Sequence, residues 1–319
     1  MGNRIDDIVR ELADPATRIV TTAVGVGVLG KLSSTIAKGL QVRRKAGVGS
    51  LNVIACENMV RQTDELSRLV SQHLLAEDKS WVDQHIGFAN CSVDRIVPPG
   101  ELKEGSLDVH VEEFYEWIVD ESALRSPIEP EVQGMGLTCD LDAYVERKLF
   151  TLNCGHAITA YLGFVRQHRT VDQAIDDPQI RNVVRGAMDE AGAALIKKHN
   201  FDHAAHAEYI ESILKRIGDP NLADTVVRVG RQPLRKLSRT DRLLGPTHLA
   251  REYRLPVDHL MRGIATVFLY DVKEDEQSVE LQDKVKRMGI AKTVAEVTGF
   301  WEGSEEHAKV IEAYHDLHA

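Results

Sequence analysis

The sequence predicts an α/β sheet domain over residues 1–138 followed by a mostly helical domain over residues 139–319. Three observations predict it. Up to about residue 120, short continuous apolar runs alternate with stretches of helical spacing, the layout of a parallel sheet with crossover helices. Beyond about residue 140, strand-like runs give way to apolar residues at helical spacing. The change of character falls at about residues 135–142.

Taken in order, RIDDIVREL (4–12) places Ile5, Ile8, Val9 and Leu12 on one helical face. RIVTTAV (18–24) is a short apolar run with the pattern of a buried parallel strand. LGKLSSTIAKGLQVRRKAG (29–47) reads as a helix closing on basic residues and Gly47. LNVIACE (51–57) is a second buried strand, and TDELSRLVSQHLL (63–75) has an acidic first turn and helical spacing. CSVDRIVP (91–98) reads as a third strand stopped by Pro98 and Pro99, and VHVEEFYEWIVD (109–120) is strand-like with partial alternation. AYVERKLFTLNCGHAITAYLGFV (143–165) is a long apolar-periodic helix. DPQIRNVVRGAMDEAGAALIKKH (177–199) starts on Asp-Pro and ends on Lys-Lys-His, as helix ends prefer. Further helices are expected at 204–216, 256–271, 275–289 and 304–318.

Composition narrows the function. A net charge of -10 and a pI of about 5.7 argue against nucleic acid or an anionic membrane as main partner, while leaving room for a small anionic substrate. Cys56, Cys91, Cys139 and Cys154 show no C-x-x-C spacing, which argues against a zinc site or disulfide framework and fits the cytoplasm. No apolar run approaches the ~20 residues that span a bilayer. The N-terminus, charged from residue 4, is not a signal peptide.

GVGVLG (25–30) matches the G-x-G-x-x-G dinucleotide fingerprint between a strand and a helix. One reading is a phosphate-cradling turn; Glu57, ending the next strand, would then read the ribose, although it lies 27 residues beyond Gly30. The other is that Gly25 merely ends a strand and that Gly27 and Gly30 are incidental. Three or four strands before residue 100 are also fewer than the about six of a full dinucleotide domain.

KLFTLNCGH (148–156) is the chemically informative stretch. At about 100° per residue, Lys148 sits at 0°, His156 at about 80° and Asn153 at about 140°, one arc over about 12 Å of axis, either facing one pocket or a solvated Lys, a helix-interior Asn bonded to its own backbone and a core His. Leu149, Phe150, Leu152 and Ile158 imply a buried helix, where unpaired polar groups are costly. Downstream, VGRQPLRKLSRTDRLLG brings Arg228, Arg231, Arg235, Lys236, Arg239 and Arg242 together, either a phosphate pocket or a solvated basic face. In HNFDHAAH, His203 and His206 are spaced i, i+3 without a third ligand pattern, so no metal is expected.

The spacing K-x4-N-x2-H, here Lys148, Asn153 and His156, resembles the signature of the polyol-specific long-chain dehydrogenases. VIACEN (53–58), FANCSVDRIVPP (88–99), RKLFTLNCGHAITAYLG (147–163) and DTVVRVGRQPLRKLSRTDRLLGP (224–246) resemble the mannitol-1-phosphate 5-dehydrogenases of that family. The resemblance covers essentially the whole chain. It implies a Rossmann-type domain, incomplete here because the first βαβ portion with the true Gly-rich loop is missing, and a helical substrate domain. It implies NAD as cofactor, no metal, a monomer, and interconversion of D-mannitol 1-phosphate and D-fructose 6-phosphate. Lys148 would be the base, Asn153 and Asn58 would steady the reacting oxygen, and His156 would orient a substrate hydroxyl. Asp94 would be a further substrate contact, with a salt bridge to Arg95 the simpler alternative. For Asn58 the simpler alternative is a helix N-cap. Arg231, Arg235 and Lys236 would bind the phosphate. Ala23, Val24 and Gly25 would lie along the cofactor, with Val26 and Gly27 in the same loop, and GVGVLG would be an accidental match. An unphosphorylated polyol, a uronate, or a cofactor-deficient sugar-phosphate binder are the alternatives.

Overall fold

The structure, a computed structural model, describes residues 5–97, 108–109, 111–222 and 224–318. The Pro98–Pro99 strand stop lies outside them. The chain forms two compact units. The first comprises Met1–Arg95 with Glu113–Val145, and the second Ile96–Glu112 with Glu146–Ala319.

The first unit begins with α1 (Ile5–Ala13), β1 (Ile19–Thr22), α2 (Val26–Lys45) and β2 (Leu51–Ala55). It continues through α3 (Gln62–Ser71), α4 (Ala76–His85), β3 (Ile86–Phe88), β4 (Cys91–Asp94), β5 (Glu116–Asp120) and β6 (Met135–Thr138). β1, β2 and β3 pair in parallel in that order. β2 is buried at every position, as its unbroken apolar run predicts, and its side chains meet Leu29, Ile36 and Leu40 of α2 in the core. β1 pairs only with β2 among the described residues and only its Thr22 is buried, so it is not the buried strand its composition suggests.

The third parallel strand is Ile86–Phe88, not the expected run from Cys91. Cys91–Asp94 instead pairs antiparallel with β5, and β5 pairs parallel with β6. The partner changes at one residue. Ala89 N–H still donates to Val53 of β2, whereas the Asn90 carbonyl accepts from Asp120 of β5. Arg43 ties the unit together from inside. It is fully buried, and its five N–H groups donate to the carbonyls of Leu12, Asp14, Thr17, Gly49 and Ser50 at 2.8–3.2 Å.

α5 (Leu141–Arg147) leads into the second unit through a π-helical turn, Lys148–Asn153, which continues directly as α6 (Cys154–Val165). Then come α7 (Val171–Asp176), α8 (Pro178–His199), α9 (His203–Ile217), α10 (Val226–Gly230), α11 (Pro233–Lys236) and α12 (Leu244–Glu252). α13 (Asp258–Val267), α14 (Glu276–Met288), α15 (Ile290–Thr298) and α16 (Glu305–His318) complete it. α6 is its axis. A Cβ on Gly155 would lie 2.4 Å from Met188 of α8, and one on Gly263 of α13 would lie 2.5 Å from Ile158. The helices therefore approach closer than any side chain at those positions allows, and this fixes what the ends of α6 present. No helix among the described residues is long and apolar enough to cross a membrane.

Candidate functional site

Lys148 opens the π-helical turn and Asn153 closes it. This corrects the α-helical arc. A π turn is closed by i→i+5 hydrogen bonds, so residues five apart lie nearly above one another. Lys148 and Asn153 are five apart, closer in azimuth than an α-helix would bring them. Such turns are frequent at functional sites. Burial agrees: from Phe150 to Gly163 every residue is buried except Asn153 and His156, and Lys148 is half-buried. The polar residues mark where an otherwise closed helix opens. Behind the turn, the Glu146 carboxylate accepts from Lys198 at 2.7 and 2.9 Å and pairs with His199 at 2.7 Å, anchoring it to the end of α8.

His156 is 18% exposed, with Nε2 3.8 Å from Asp224. Burial pushes its imidazole down to about 4; Asp224 opposes this, and Arg228, Lys236 and Arg242 add to it. It is therefore a neutral donor and acceptor at neutral pH. Asp224 is almost fully buried and holds Arg228 through two bonds of 2.5 Å. One residue later, Thr225 caps α10 by accepting from Arg228 N–H at 3.2 Å.

The expected phosphate cations take different positions. Lys236 is 4% exposed; its ammonium donates to the carbonyls of Val229, at 2.6 Å, and Arg231 and lies over the Tyr161 ring. Burial pulls it down to about 7, assisted by Arg242 and Arg235 and opposed by Asp241 and Asp275. Arg231 is exposed and donates to the Arg228 carbonyl. Arg235 pairs with Asp241 at 3.1 Å, and Arg239 is exposed. Arg242, 16% exposed, shares Asp241 at 2.7 Å and lowers the affinity of His156 and Lys236 for protons. Asp224 and Arg242 were the residues that counting charges underrated. Asp224 stands four before Arg228, the spacing of a helical ion pair.

The first unit supplies the other expected residues. Glu57, just past β2, accepts from Thr22 Oγ1 at 2.9 Å and from Val24 N–H at 3.1 Å. It braces the turn Ala23–Val24–Gly25 and is buried, not presented to a ribose. Gly25 has φ 89 and caps α2, but Val26 and Gly27 are in the first helical turn, not in the loop expected. Gly27 and Gly30 are helical, and a Cβ on either would meet nothing within 4 Å. GVGVLG is thus one turn glycine and two glycines in the first turns of α2. Asn58 is exposed in the turn after β2; the next helix starts at Gln62 behind Arg61, so Asn58 is not its N-cap. Val24, Val26, Met59 and Val60 are 41–55% exposed around these strand ends. Asp94 ends β4, 1% exposed, while Arg95 stacks on Tyr115 at 5.5 Å.

Two family models match the chain: the mannitol dehydrogenase Rossmann domain over residues 2–132 and the mannitol dehydrogenase C-terminal domain over residues 140–318. Among solved structures, the chain is similar to Pseudomonas fluorescens mannitol 2-dehydrogenase, solved as a ternary complex with NAD and D-mannitol. The TM-score is 0.72 at 20% identity, covering 99% of this chain and 75% of that one. It is also similar to a D-sorbitol dehydrogenase in substrate-free form, with TM-score 0.83 at 17% identity, covering 99% of this chain and 76% of that one.

Proposed function

The chain belongs to the mannitol dehydrogenase family, oxidoreductases of polyol CH–OH groups, and on that premise we propose that it interconverts D-mannitol 1-phosphate and D-fructose 6-phosphate with NAD. The observation that carries the chemistry is the opening in the buried helix, where Lys148, Asn153 and His156 are half-buried polar residues.

In the oxidation, Lys148 takes the proton from the hydroxyl at carbon 5 as hydride leaves that carbon; in the reduction it returns it. A bound nicotinamide accepts or supplies the hydride. The oxygen gains negative charge in the transition state, and an amide donor such as Asn153 stabilises it. His156, held neutral, donates to one substrate hydroxyl or accepts from it without adding charge. Asp224 fixes Arg228 so that its remaining N–H groups face one way. The strand ends fit a nicotinamide ring: exposed Val24, Val26, Met59 and Val60 offer apolar surface at the carboxyl ends of parallel strands, where α/β folds take nucleotides. The Ala23–Gly25 turn and Asn58 would flank it.

The phosphate rests on Arg231, Arg235, Lys236, Arg239 and Arg242, which outnumber the nearby Asp241 and Asp275. A second reading, an unphosphorylated polyol, is favoured by one observation: Arg228, Arg235 and Arg242 are paired with carboxylates, and Lys236 donates to two carbonyls. One assay separates them. NADH oxidation is followed with fructose 6-phosphate and with fructose, using Lys148→Ala as control. Turnover with fructose 6-phosphate that falls about 10²–10⁴-fold in the variant supports the first reading. Preference for fructose supports the second. Equal rates for variant and parent overturn the role of Lys148.

A further inference from the structure

Cys56 and Cys91 lie outside the machinery described above, and their geometry is specific. Cys91 Sγ stands 3.9 Å from Cys56 Sγ. The parallel register pairs Val53 with Phe88, and Ala89 N–H extends that ladder to Val53 O. Beyond Ala89 the chain leaves that ladder for β4, and the Cys91 thiol, donating to the Ala55 carbonyl at 3.3 Å, stays beside the end of β2. The two sulfurs need move together by only about 1.9 Å to reach the S–S bond length of about 2.05 Å. Cys56 is half-buried and reachable, whereas Cys91 is buried at 3% exposure. The remaining thiols serve as internal controls: Cys139 is exposed, and Cys154 is fully buried, its thiol pushed up to about 12 by burial.

We propose that Cys56 and Cys91 form a reversible disulfide on exposure to a peroxide, an oxidation site at the carboxyl end of β2. Hydrogen peroxide oxidises the Cys56 thiol to a sulfenic acid and is itself reduced to water. The Cys91 thiol then attacks that sulfur, the S–S bond forms, and a second water leaves. Two thiols supply two electrons, and one peroxide takes them. The hydrogen bond with Cys91, burial and the neighbouring Glu57 all raise the Cys56 thiol. It is therefore protonated at neutral pH, and since the thiolate is the nucleophile, cross-linking quickens as pH rises.

The bond has a structural consequence. Closing 3.9 Å to about 2.05 Å draws the end of β2 toward β4. Cys56 is joined directly to Glu57, which braces the Ala23–Gly25 turn, and the next residue is Asn58. Oxidation thus pulls on the strand end assigned above to the cofactor, although the cross-link itself does not depend on that assignment.

The test uses the full chain carrying Cys139→Ser, which removes the exposed thiol. The reduced protein is treated with hydrogen peroxide, alkylated and mapped by mass spectrometry. The expected result is loss of two hydrogens and a linked peptide pair containing residues 56 and 91. Dithiothreitol should reverse the link, alkaline pH should speed its formation, and Cys56→Ser should abolish it. Cys56 is half-buried and its replacement isosteric, so this variant keeps the test open even where Cys91→Ser fails to fold. Oxygen addition at Cys56 with Cys91 still alkylatable, or a link that persists in Cys56→Ser, overturns the proposal. The readout is mass, so it stands whether or not the chain oxidises NADH.

Discussion

Replacing Gly27 and Gly30 together by alanine separates two accounts of GVGVLG. Both glycines lie in α2, and a Cβ on either meets no atom within 4 Å. In a helix interior, alanine is favoured over glycine by about 0.8–1 kcal/mol, which applies to Gly30. Gly27 sits in the first turn, and about half that value is reasonable there. The sum is about 1.3 kcal/mol, which for a unit of this size raises the melting temperature by about 3–5 °C. The phosphate-loop account requires the reverse. There the second glycine lets the backbone approach a pyrophosphate and the third packs helix on strand. A methyl at either position would weaken dinucleotide binding by about 100-fold or more, equal to some 2.7 kcal/mol of contacts. The assays are thermal unfolding and NADH titration of the parent and double variant. A higher melting temperature with unchanged NADH affinity is expected. A lower melting temperature, or an affinity loss of that size, would refute the helix assignment.

Other outcomes follow from buried charge. The Lys236 ammonium, ordinarily near 10.5, is pulled to about 7. Folding therefore costs most below the folded value, where both states hold the proton, and stability rises with pH between the two values by about 1.4 kcal/mol per pH unit. In Lys236→Met that rise is absent, so the urea-measured stability gap between parent and variant should change by about 2–3 kcal/mol from about pH 6 to about pH 9; parallel curves would show that the Val229 and Arg231 carbonyls hold the proton instead. Arg43→Met leaves five carbonyls without their donor, one of them wholly buried, and should cost about 4–5 kcal/mol, read as a fall in urea midpoint of about 2 M. A fall below about 0.5 M would mean water replaces the guanidinium.

The sheet shows which parts of the fold were legible. LNVIA becomes a fully buried strand because both its neighbours are present, which its composition anticipates. IVTT has a similar composition but only one neighbour among the described residues, so only Thr22 of its four residues is buried. Burial there depends on what lies alongside, and no periodicity records that. CSVD was placed in the parallel ladder on its apolar run, but the switch at Asn90 depends on where Asp120 arrives, some thirty residues later. The π turn was hidden for a different reason. Apolar spacing reports which face is buried, and a local i→i+5 pattern changes it by less than a residue per turn. Lys148, Asn153 and His156 stand out through the K-x4-N-x2-H resemblance rather than through spacing alone, and the structure leaves all three half-buried on an otherwise buried helix.

The cation cluster is where counting charge misleads most, and it bears on the substrate. Arg228, Arg235 and Arg242 have carboxylate partners, so their net field on a phosphate is reduced. Arg231 and Arg239 lack such a partner among the described residues but are exposed, and an exposed pair contributes about 0–1 kcal/mol. Together they account for at most about 2 kcal/mol, roughly a 30-fold preference for a phosphorylated substrate. A larger preference must come from Lys236, which is buried, so that its charge is poorly screened. Lys236 is pulled down to about 7, so its charge changes near neutrality. A strong preference should therefore weaken as pH rises through about 7, whereas a weak one carried by the exposed arginines should stay level. The ratio of kcat/KM for fructose 6-phosphate and fructose, measured across that range, distinguishes a buried phosphate site from a solvated basic face.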